Sequence, residues 1–237
     1  MIKYQYIFFI LVFFSSAYGF DYPKRFQGYY SQHGQDKYLV EEVFNYKENG
    51  FFLEIGAHDG ISFSNTYCFE KDFHWRGICV EPIPELFEKL KNNRQCICEN
   101  VCIDVVGGKK NFLRCFGFIT EMYSGIADYY DSRHLLRIDK EIEEYGGEKI
   151  IVEVDCIELS QLLEKNNVKQ IDLLSLDIEG GEELILKAIN FDEIKIAVIL
   201  VENNFDDEKI RSFLSSKNYE LIQRIGKDDV FVSKELL

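Results

Sequence analysis

The sequence predicts an α/β protein built on a doubly wound sheet that is mostly parallel and ends in an antiparallel hairpin. Short apolar segments alternate along the chain with segments of helical periodicity, the order expected of strands joined by crossover helices. Residues 171–177 are apolar almost throughout, as in a strand buried on both faces. Near the C-terminus, two strand-like segments flank residues 226–229, whose composition favours a hairpin turn. Ligands of such sheets bind beyond the carboxyl ends of the strands.

The individual elements follow from the local pattern. Strands are predicted at 51–55, 77–80, 95–103, 111–116, 149–154, 171–177, 196–201, 219–224 and 230–233. Helices are predicted at 85–91, 159–166, 182–188 and 206–217. The first helix is the clearest, because Pro84 stands at its start and Leu86 and Leu90 share one face.

Two segments are less regular. Residues 117–147 are rich in Tyr, Asp and Glu, and we predict that they form an insert or lid over one edge of the domain. Residues 31–36 precede the first strand, and their structure has two alternative interpretations. They form either a lid over the ligand or the start of a helix, since Asp36 comes just before an apolar run.

The composition is that of one packed globular domain. Of the 237 residues, 46% are hydrophobic and only 3 are proline. Lys and Arg number 27 against 41 for Asp and Glu, so the formal net charge is −14. A surface this acidic repels phosphate backbones, and the basic residues form no stripe that would overcome the repulsion. We therefore expect no nucleic-acid partner.

The first 19 residues have the pattern of a secretory signal. Lys3 precedes an unbroken apolar segment at 7–14, and Ala17 and Gly19 are the small residues that a signal peptidase recognises. We predict a signal at 1–19 and one domain at 20–237, located in the lumen of the ER or Golgi or secreted. The apolar segment is shorter than the roughly 20 residues of a membrane span. A membrane partner is expected only if residues 2–20 remain as an uncleaved anchor.

Seven cysteines leave at least one thiol unpaired in an oxidising compartment. Cys96, Cys98 and Cys102 lie close together in a segment with the apolar alternation of a strand. Buried structural thiols are the first interpretation, a disulfide the second and a metal site the third, because the chain has no CxxC motif.

Two strand ends indicate a nucleoside-containing cofactor. The first strand runs into Gly56 and Gly60, which allow a tight turn against which a ligand can lie. The second strand ends in Glu81, a carboxylate suited to the two hydroxyls of a ribose. The G-x-G-x-x-G fingerprint of dinucleotide-binding proteins is absent, which disfavours a nicotinamide oxidoreductase.

Five motifs strengthen this prediction. They are Ser31-Gln32-x-Gly34-Gln35-Asp36, Phe52-Leu53-Glu54-Ile55-Gly56-Ala57, Ser64-Asn65-Thr66, Trp75-Arg76-Gly77-x-x-x-Glu81-Pro82-x-Pro84 and Asp172-Leu173-Leu174-Ser175-Leu176-Asp177-Ile178-Glu179-Gly180. In this order they resemble the FkbM-type methyltransferases, and the resemblance covers residues 31–233. It implies a class I methyltransferase (Rossmann-like) fold of seven strands, S-adenosylmethionine (SAM) as cofactor, and transfer to an oxygen, often of a sugar or natural product.

The resemblance also implies roles for particular residues. Glu54, Gly56 and Gly60 would line the methionine moiety, with Asn65 assisting, and Glu81 would hold the ribose. Asp104, after the third strand, would lie near the adenine. His58 stands where the family has a small or amide residue. The full set of expected cofactor residues is Glu54, Gly56, His58, Gly60, Asn65, Glu81 and Asp104.

The ends of the fourth and fifth strands should face the acceptor. Asp177 and the pair Glu202 and Asn203 are similar to the magnesium site of catechol-type O-methyltransferases, which implies a possible Mg²⁺ ligand set. Without a metal, Asp177 or Glu179 would be the general base, with His134 a weaker candidate. Alternatively, these carboxylates bind cofactor or cap the following helix.

The leading hypothesis is a SAM-dependent O-methyltransferase of the secretory pathway that acts on a hydroxylated small molecule or glycan. The competing hypothesis is a non-catalytic interaction or trafficking protein that keeps the fold. The motif residues favour the enzyme, because a scaffold needs no carboxylate for a ribose.

Overall fold

The computed structural model describes residues 28–117 and 120–235. The predicted signal at 1–19 lies outside the described residues. The strands are β1 (Phe51–Ile55), β2 (Arg76–Val80), β3 (Ile97–Glu99), β4 (Cys102–Asp104), β5 (Gly108–Phe116), β6 (Gly125–Ile126), β7 (Glu148–Glu158), β8 (Gln170–Leu176), β9 (Lys195–Glu202), β10 (Tyr219–Ile225) and β11 (Asp228–Ser233). The helices are α1 (Gln35–Tyr38), α2 (Tyr67–Phe73), α3 (Pro84–Asn93), α4 (Ser132–Tyr145), α5 (Leu159–Lys165), α6 (Glu182–Ala188) and α7 (Glu208–Ser216).

Seven strands form the main sheet, in the order β10-β11-β9-β8-β1-β2-β3. The five strands from β9 to β3 are mutually parallel, whereas β11 is antiparallel to β9 and pairs with β10 in a hairpin. This confirms the predicted doubly wound sheet with its terminal hairpin. The order reverses between β1 and β8, so the carboxyl ends of these strands flank the crevice where such sheets bind ligands.

The centre of the main sheet is buried on both faces because its strands are apolar at successive positions. Leu53 and Leu174 belong to one buried cluster, and their neighbours Phe52 and Leu173 belong to a second cluster. Successive side chains of a strand point to opposite faces, so the two clusters lie on opposite sides of the sheet. This explains why the central strands are continuous apolar runs in the sequence.

The prediction of one strand at 95–103 is wrong. Within it, β3 joins the main sheet beside β2, while β4 joins a second sheet beside β7. Between them, the Asn100 side chain donates hydrogen bonds to the carbonyl oxygens of Glu81 (2.9 Å) and Pro82 (3.1 Å). These bonds hold the chain where it leaves one sheet for the other.

The second sheet has the order β4-β7-β5-β6 and was not predicted. Its longest strand, β7, extends well beyond the predicted 149–154 and pairs along its length with β5. Phe112, Ile126 and Cys156 pack with Ile83 and Leu86 at the start of α3. The second sheet therefore closes over the end of β2 and forms one wall of the crevice.

The segment at 117–147 is more regular than predicted. It contains the 14-residue helix α4, whose N-cap Asp131 accepts hydrogen bonds from the backbone of Arg133 (2.8 Å) and His134 (3.0 Å). Ile138 is the buried residue of this helix. At 31–36 the structure shows a helix start: α1 begins at Gln35, and Asp36 accepts hydrogen bonds from the backbone of Tyr30 (2.5 Å) and Ser31 (3.2 Å).

All seven cysteines lie in the described part of the chain, and each is a free thiol. Five of them, including Cys102, are buried, in agreement with the first interpretation of the cysteine pattern. Among the described helices, none combines the length and apolar character that crossing a bilayer requires.

Candidate functional site

A cavity of about 270 Å³ lies at the carboxyl ends of β1, β2, β8 and β9. One end is mostly apolar and is lined by Ile83, Leu86, Cys102, Ile103, Phe112 and Ile126. The other end is acidic and is lined by Asp177, Glu179, Glu202 and Asp228. Glu81 and the turn that follows β1 also line the cavity, at the end of the first two strands.

Glu81 is a buried carboxylate, 4% exposed, fixed by the backbone. One of its oxygens accepts a hydrogen bond from the His58 N–H (2.9 Å), and the other accepts one from the Ile83 N–H (2.9 Å). Burial raises the pKa of Glu81 to about 7, while these two hydrogen bonds act in the opposite direction. Each carboxylate oxygen can accept a second hydrogen bond. Glu81 can therefore bind two neighbouring hydroxyls of a ligand in the cavity.

Gly56 allows the chain to turn directly beneath the cavity. Its φ is +88°, and its N–H donates to the Val80 carbonyl (3.1 Å). A Cβ at this position would come far closer to the Asp177 carbonyl oxygen than the 3.0 Å that real Cβ atoms keep. Glycine is thus required both by the backbone conformation and by the close approach of β1 to the end of β8.

Glu54 lines the cavity, but its carboxylate is engaged by protein groups. It accepts hydrogen bonds from the Ser64 hydroxyl (3.0 Å), the Asn65 N–H (2.9 Å) and the Thr66 hydroxyl (2.7 Å). The guanidinium of Arg94, also buried, lies 3.2 Å from the same carboxylate. Glu54 therefore holds the loop at 60–66 in place, and its predicted contact with the methionine moiety stays a prediction.

Arg94 is the hub of this network, and we expect a Lys substitution to be destabilising. Its guanidinium bonds Glu70 (2.6 Å), the Gly60 carbonyl (3.1 Å) and the Thr66 hydroxyl (2.9 Å), as well as Glu54. Lysine keeps the charge but cannot reproduce the planar fork, so Arg94→Lys should lower the free energy of unfolding by about 2 kcal/mol. Urea denaturation measures the change.

The exposed Arg76 supplies the matched control for this prediction. Arg76→Lys should leave the free energy of unfolding within about 0.5 kcal/mol of the wild type. Equal stability of the Arg94→Lys variant and the wild type would contradict the role given to Arg94.

Asn65 and His58 also line the cavity. The Asn65 amide donates to the Ser175 hydroxyl (3.1 Å), while its buried Oδ1 has no partner within the described structure. This oxygen is available to a ligand donor. His58, at φ +51°, has Nε2 3.3 Å from Glu121, so it links the turn after β1 to the 3₁₀ turn Thr120–Tyr123.

Two expected cofactor residues are absent from the cavity lining. Gly60 packs beneath α3, where a Cβ would meet the side chains of Leu90 and Arg94. Asp104 ends β4 in the second sheet, where its carboxylate pairs with Lys110 (2.7 Å) and accepts a hydrogen bond from the Tyr129 hydroxyl. Gly60 thus supports the loop, and Asp104 is turned toward the second sheet.

Asp177, Glu179 and Glu202 converge at the acidic end of the cavity. One ligand oxygen from each lies within 4.8 Å of the others. Burial raises the pKa of Glu179 to about 7, and it raises the pKa values of Asp177 and Glu202 well above their ordinary value, with the neighbouring carboxylates adding to both. Arg137, 3.6 Å from Glu179, opposes this effect. The excess of negative charge favours a cationic ligand.

Asn203 does not belong to this group, which corrects the expected set of metal ligands. Its amide donates to Asp229 (2.9 Å) and to the Asp207 carbonyl (3.0 Å), and its Oδ1 accepts from the Asp207 N–H (2.8 Å). Successive residues of an extended chain alternate in direction, so Glu202 faces the cavity and Asn203 faces away. Glu179 takes the third position.

His134, the weaker candidate for the base, does not line the cavity. Its ring packs edge-on against Tyr130 and Phe205, and burial lowers its pKa. Arg137 and Asp228 were missed by the sequence analysis. Arg137 lies on α4, in the segment predicted to be irregular, so no pattern pointed to it; Asp228 lies in the predicted hairpin turn.

The arrangement has a clear chemical character. A flat apolar group fits the end lined by Ile83 and Phe112, a diol fits Glu81, and a positive charge fits the carboxylates around Glu179. These three features, in one cavity, match the parts of an adenosyl sulfonium compound.

The chain matches a family model. The model for the methyltransferase FkbM domain matches residues 54–221. A search of curated protein sequences finds no significant match.

Solved structures with a similar fold include an FkbM methyltransferase from Methylobacillus flagellatus KT, with a TM-score of 0.54, 10% identity, and coverage of 86% of this chain and 48% of that chain. This chain thus spans about half the length of that protein. A methyltransferase from Geobacter sulfurreducens has a TM-score of 0.44 at 12% identity. The match covers 86% of this chain and 80% of that one. Aeropyrum pernix fibrillarin with natively bound S-adenosyl-L-methionine has a TM-score of 0.41 at 12% identity. The match covers 84% of this chain and 72% of that one. The first likeness confirms the predicted methyltransferase fold.

Proposed function

This chain belongs to the FkbM family of SAM-dependent methyltransferases, and from that membership we propose that it methylates a hydroxyl oxygen of a sugar, a glycan or another small molecule. One observation carries the proposal: a single cavity holds Glu81, a buried carboxylate suited to a ribose, and Glu179, a carboxylate with a pKa of about 7. The first would bind the cofactor, and the second would accept the proton of the acceptor hydroxyl.

The cavity residues fit SAM. Glu81 would accept hydrogen bonds from the two ribose hydroxyls, and Oδ1 of Asn65 would accept one from the ammonium group. When bound, SAM supplies an electrophilic methyl group on a positively charged sulfur. The carboxylates of Asp177 and Glu202, which line the cavity, favour that positive charge.

The proton of the acceptor must be removed during transfer. A base with a pKa near the working pH serves best, and Glu179 meets this condition. Asp177, in the same group, is the second candidate. Arg137, 3.6 Å from Glu179, stabilises the ionised carboxylate and keeps it oriented.

Methyl transfer from radiolabelled SAM to a panel of hydroxylated acceptors tests this proposal. Glu179→Gln should lower the rate about 100-fold, because it removes the base, while the Kd for S-adenosylhomocysteine, which has no sulfonium charge, stays within about threefold. The exposed Glu144 on α4 provides the control, and Glu144→Gln should keep the wild-type rate. Wild-type protein that binds SAM but methylates no acceptor would favour the non-catalytic hypothesis.

We expect SAM binding to depend on pH through Glu81. Its pKa of about 7 means that the carboxylate gains a proton as the pH falls through 7. The protonated group accepts hydrogen bonds less well, so affinity should fall about tenfold between pH 8 and pH 6. For S-adenosylhomocysteine, which carries no sulfonium charge to respond to Glu179, Glu81→Gln should lose most of this dependence, because glutamine cannot titrate. Titrations at both pH values measure it, and a wild-type Kd that is the same at pH 6 and pH 8 would contradict the role of Glu81.

We also propose that Asp177, Glu179 and Glu202 can hold Mg²⁺. The proposal is supported by the convergence of their oxygens within 4.8 Å, since carboxylate oxygens are the ligands that this cation prefers. When bound, Mg²⁺ supplies a Lewis acid that lowers the pKa of a hydroxyl. Glu179 would then be a ligand of Mg²⁺, and the reaction would not need Glu179 as a general base.

Magnesium titration of the protein without SAM separates the two cases. Glu202→Gln should weaken Mg²⁺ binding at least about tenfold, because it removes one charged ligand. The side chain of Glu208 on α7 is 76% exposed, so Glu208→Gln serves as the control. Full activity after treatment with a chelator, together with no heat of Mg²⁺ binding, would contradict the metal proposal.

The acceptor and the compartment remain proposals from the sequence. We propose a luminal or secreted protein, with no nucleic-acid partner and with a membrane contact only if residues 2–20 are kept. N-terminal sequencing of the full chain after expression in a secretory host should find Phe20 as the first residue. An intact Met1, or retention in the cytosol, would contradict the signal.

A further inference from the structure

Phe63 is an exposed aromatic residue at the rim of the cavity. It lines the cavity, yet 48% of its surface is exposed, more than most of the large apolar residues in the described part of the chain. Its φ of +59° places it in the left-handed region, which a residue with a bulky side chain seldom adopts. Both the exposure and the backbone conformation cost free energy in the absence of a ligand.

The surrounding structure holds Phe63 in this position from both sides. Before it, the Asp59 carboxylate accepts hydrogen bonds from the N–H groups of Ile61 (2.9 Å) and Ser62 (2.7 Å). After it, Ser64 bonds Glu54 (3.0 Å). Phe63 itself forms a backbone bridge with Ser31. The side chain is therefore presented at the cavity mouth by a loop that is anchored at each end.

Polar side chains of the cavity lining lie close in sequence to Ser31, the bridge partner of Phe63. Ser31 leads directly into Gln32 and His33, which line the cavity, and Lys227 lines it from the β10–β11 turn. His33 packs against Gly226 of the same turn, where a Cβ would meet its ring. These polar side chains suit an acyl chain poorly. An aromatic face beside hydrogen-bonding side chains suits a pyranose, whose C–H face packs on the ring while its hydroxyls reach the polar groups.

We propose that Phe63 is a specificity-determining residue that packs against the pyranose ring of a carbohydrate acceptor. Its role in presenting an acceptor hydroxyl rests on the proposed methyltransferase function. Its role in binding a sugar does not, because the loop and the polar neighbours are complete without the cofactor. On this left-handed backbone the Phe63 side chain is 48% exposed and lines the cavity.

Saturation-transfer NMR with three methyl pyranosides (of glucose, mannose and fucose) tests the inference. The wild type should saturate ring protons of at least one glycoside, and Phe63→Ala should lower its affinity about tenfold. Phe63→Tyr keeps the aromatic face and should keep binding. Ile151→Ala is the control, since Ile151 is 56% exposed on β7 and does not line the cavity.

Two further readouts distinguish a ligand contact from a structural role. Phe63→Gly should be more stable to heat than Phe63→Ala, because glycine relieves the left-handed strain, while both bind the glycoside about tenfold more weakly than the wild type. SAM affinity, measured on the same samples, should stay within about threefold for every Phe63 variant.

Each outcome decides the inference. Glycoside binding by the wild type that Phe63→Ala weakens about tenfold supports it. This holds even if the protein fails to bind SAM, in which case only the proposed methyltransferase function falls. Absence of binding to all three glycosides overturns the inference, as does unchanged binding by Phe63→Ala. Normal SAM binding in that situation would leave the methyltransferase function standing.

Discussion

Glu81→Ala should weaken binding of S-adenosylhomocysteine at least about 100-fold. The substitution removes an anionic acceptor for two ribose hydroxyls, and hydrogen bonds to a charged group contribute about 1.5–3 kcal/mol each. It also leaves the His58 and Ile83 N–H groups, each 2.9 Å from Glu81 in the structure, without their acceptor. Calorimetric titration measures the loss.

A ligand analogue makes this prediction specific to the ribose. The 2′-deoxyribose analogue of S-adenosylhomocysteine should bind the wild type about tenfold more weakly, because one hydroxyl is missing. The Glu81→Ala variant should not distinguish the two ligands. Glu85, in the first turn of α3 and outside the cavity lining, provides the control variant Glu85→Ala. Equal discrimination by Glu81→Ala and the wild type would show that another residue binds the ribose.

Gly56→Ala should destabilise the fold by about 4 kcal/mol or more. The new Cβ would strike the backbone carbonyl of Asp177, which cannot rotate away as a side chain can, and the φ of +88° adds strain. For a domain of this size, such a loss should lower the Tm by about 10 °C. Thermal unfolding followed by circular dichroism measures the shift.

A substitution at Gly34 distinguishes the steric clash of a Cβ from the strain of a positive φ. It has a similar φ, +85°, but a Cβ there would have nothing within 4 Å. Gly34→Ala should therefore cost only about 1 kcal/mol, the price of the left-handed backbone. If the two alanine variants melted at the same temperature, the close approach of β1 and β8 at Gly56 would not be the reason for its glycine.

The main sheet could be predicted because the pattern of its strands is clear. β8 and β9 are buried on both faces, so their apolar runs are continuous. The second sheet could not be predicted in the same way. In β7, Ile150 and Ile151 are successive apolar residues that are 46% and 56% exposed, so apolar character there does not report burial.

The residues of the candidate site that could be predicted are those next to strands of the main sheet. Gly56 and Glu81 line the cavity because each directly follows a strand of the main sheet whose end was predicted from the sequence. Asp104 ends a strand of the second sheet, and its carboxylate pairs with Lys110. Arg137 contacts Glu179 from α4. Ile138 is the buried residue of this helix, and a single buried apolar residue does not produce a recognisable helical period in the sequence.

Titration of the purified wild-type chain with SAM and S-adenosylhomocysteine tests the central claim most directly, because it asks whether the cavity at the ends of β1 and β2 binds this cofactor. We predict one binding site with a Kd in the micromolar range for both ligands, a binding free energy of about −8 kcal/mol at 1 μM. A chain that is folded by circular dichroism and releases no heat with either ligand would contradict the claim. The search would then turn to a protein partner for this fold.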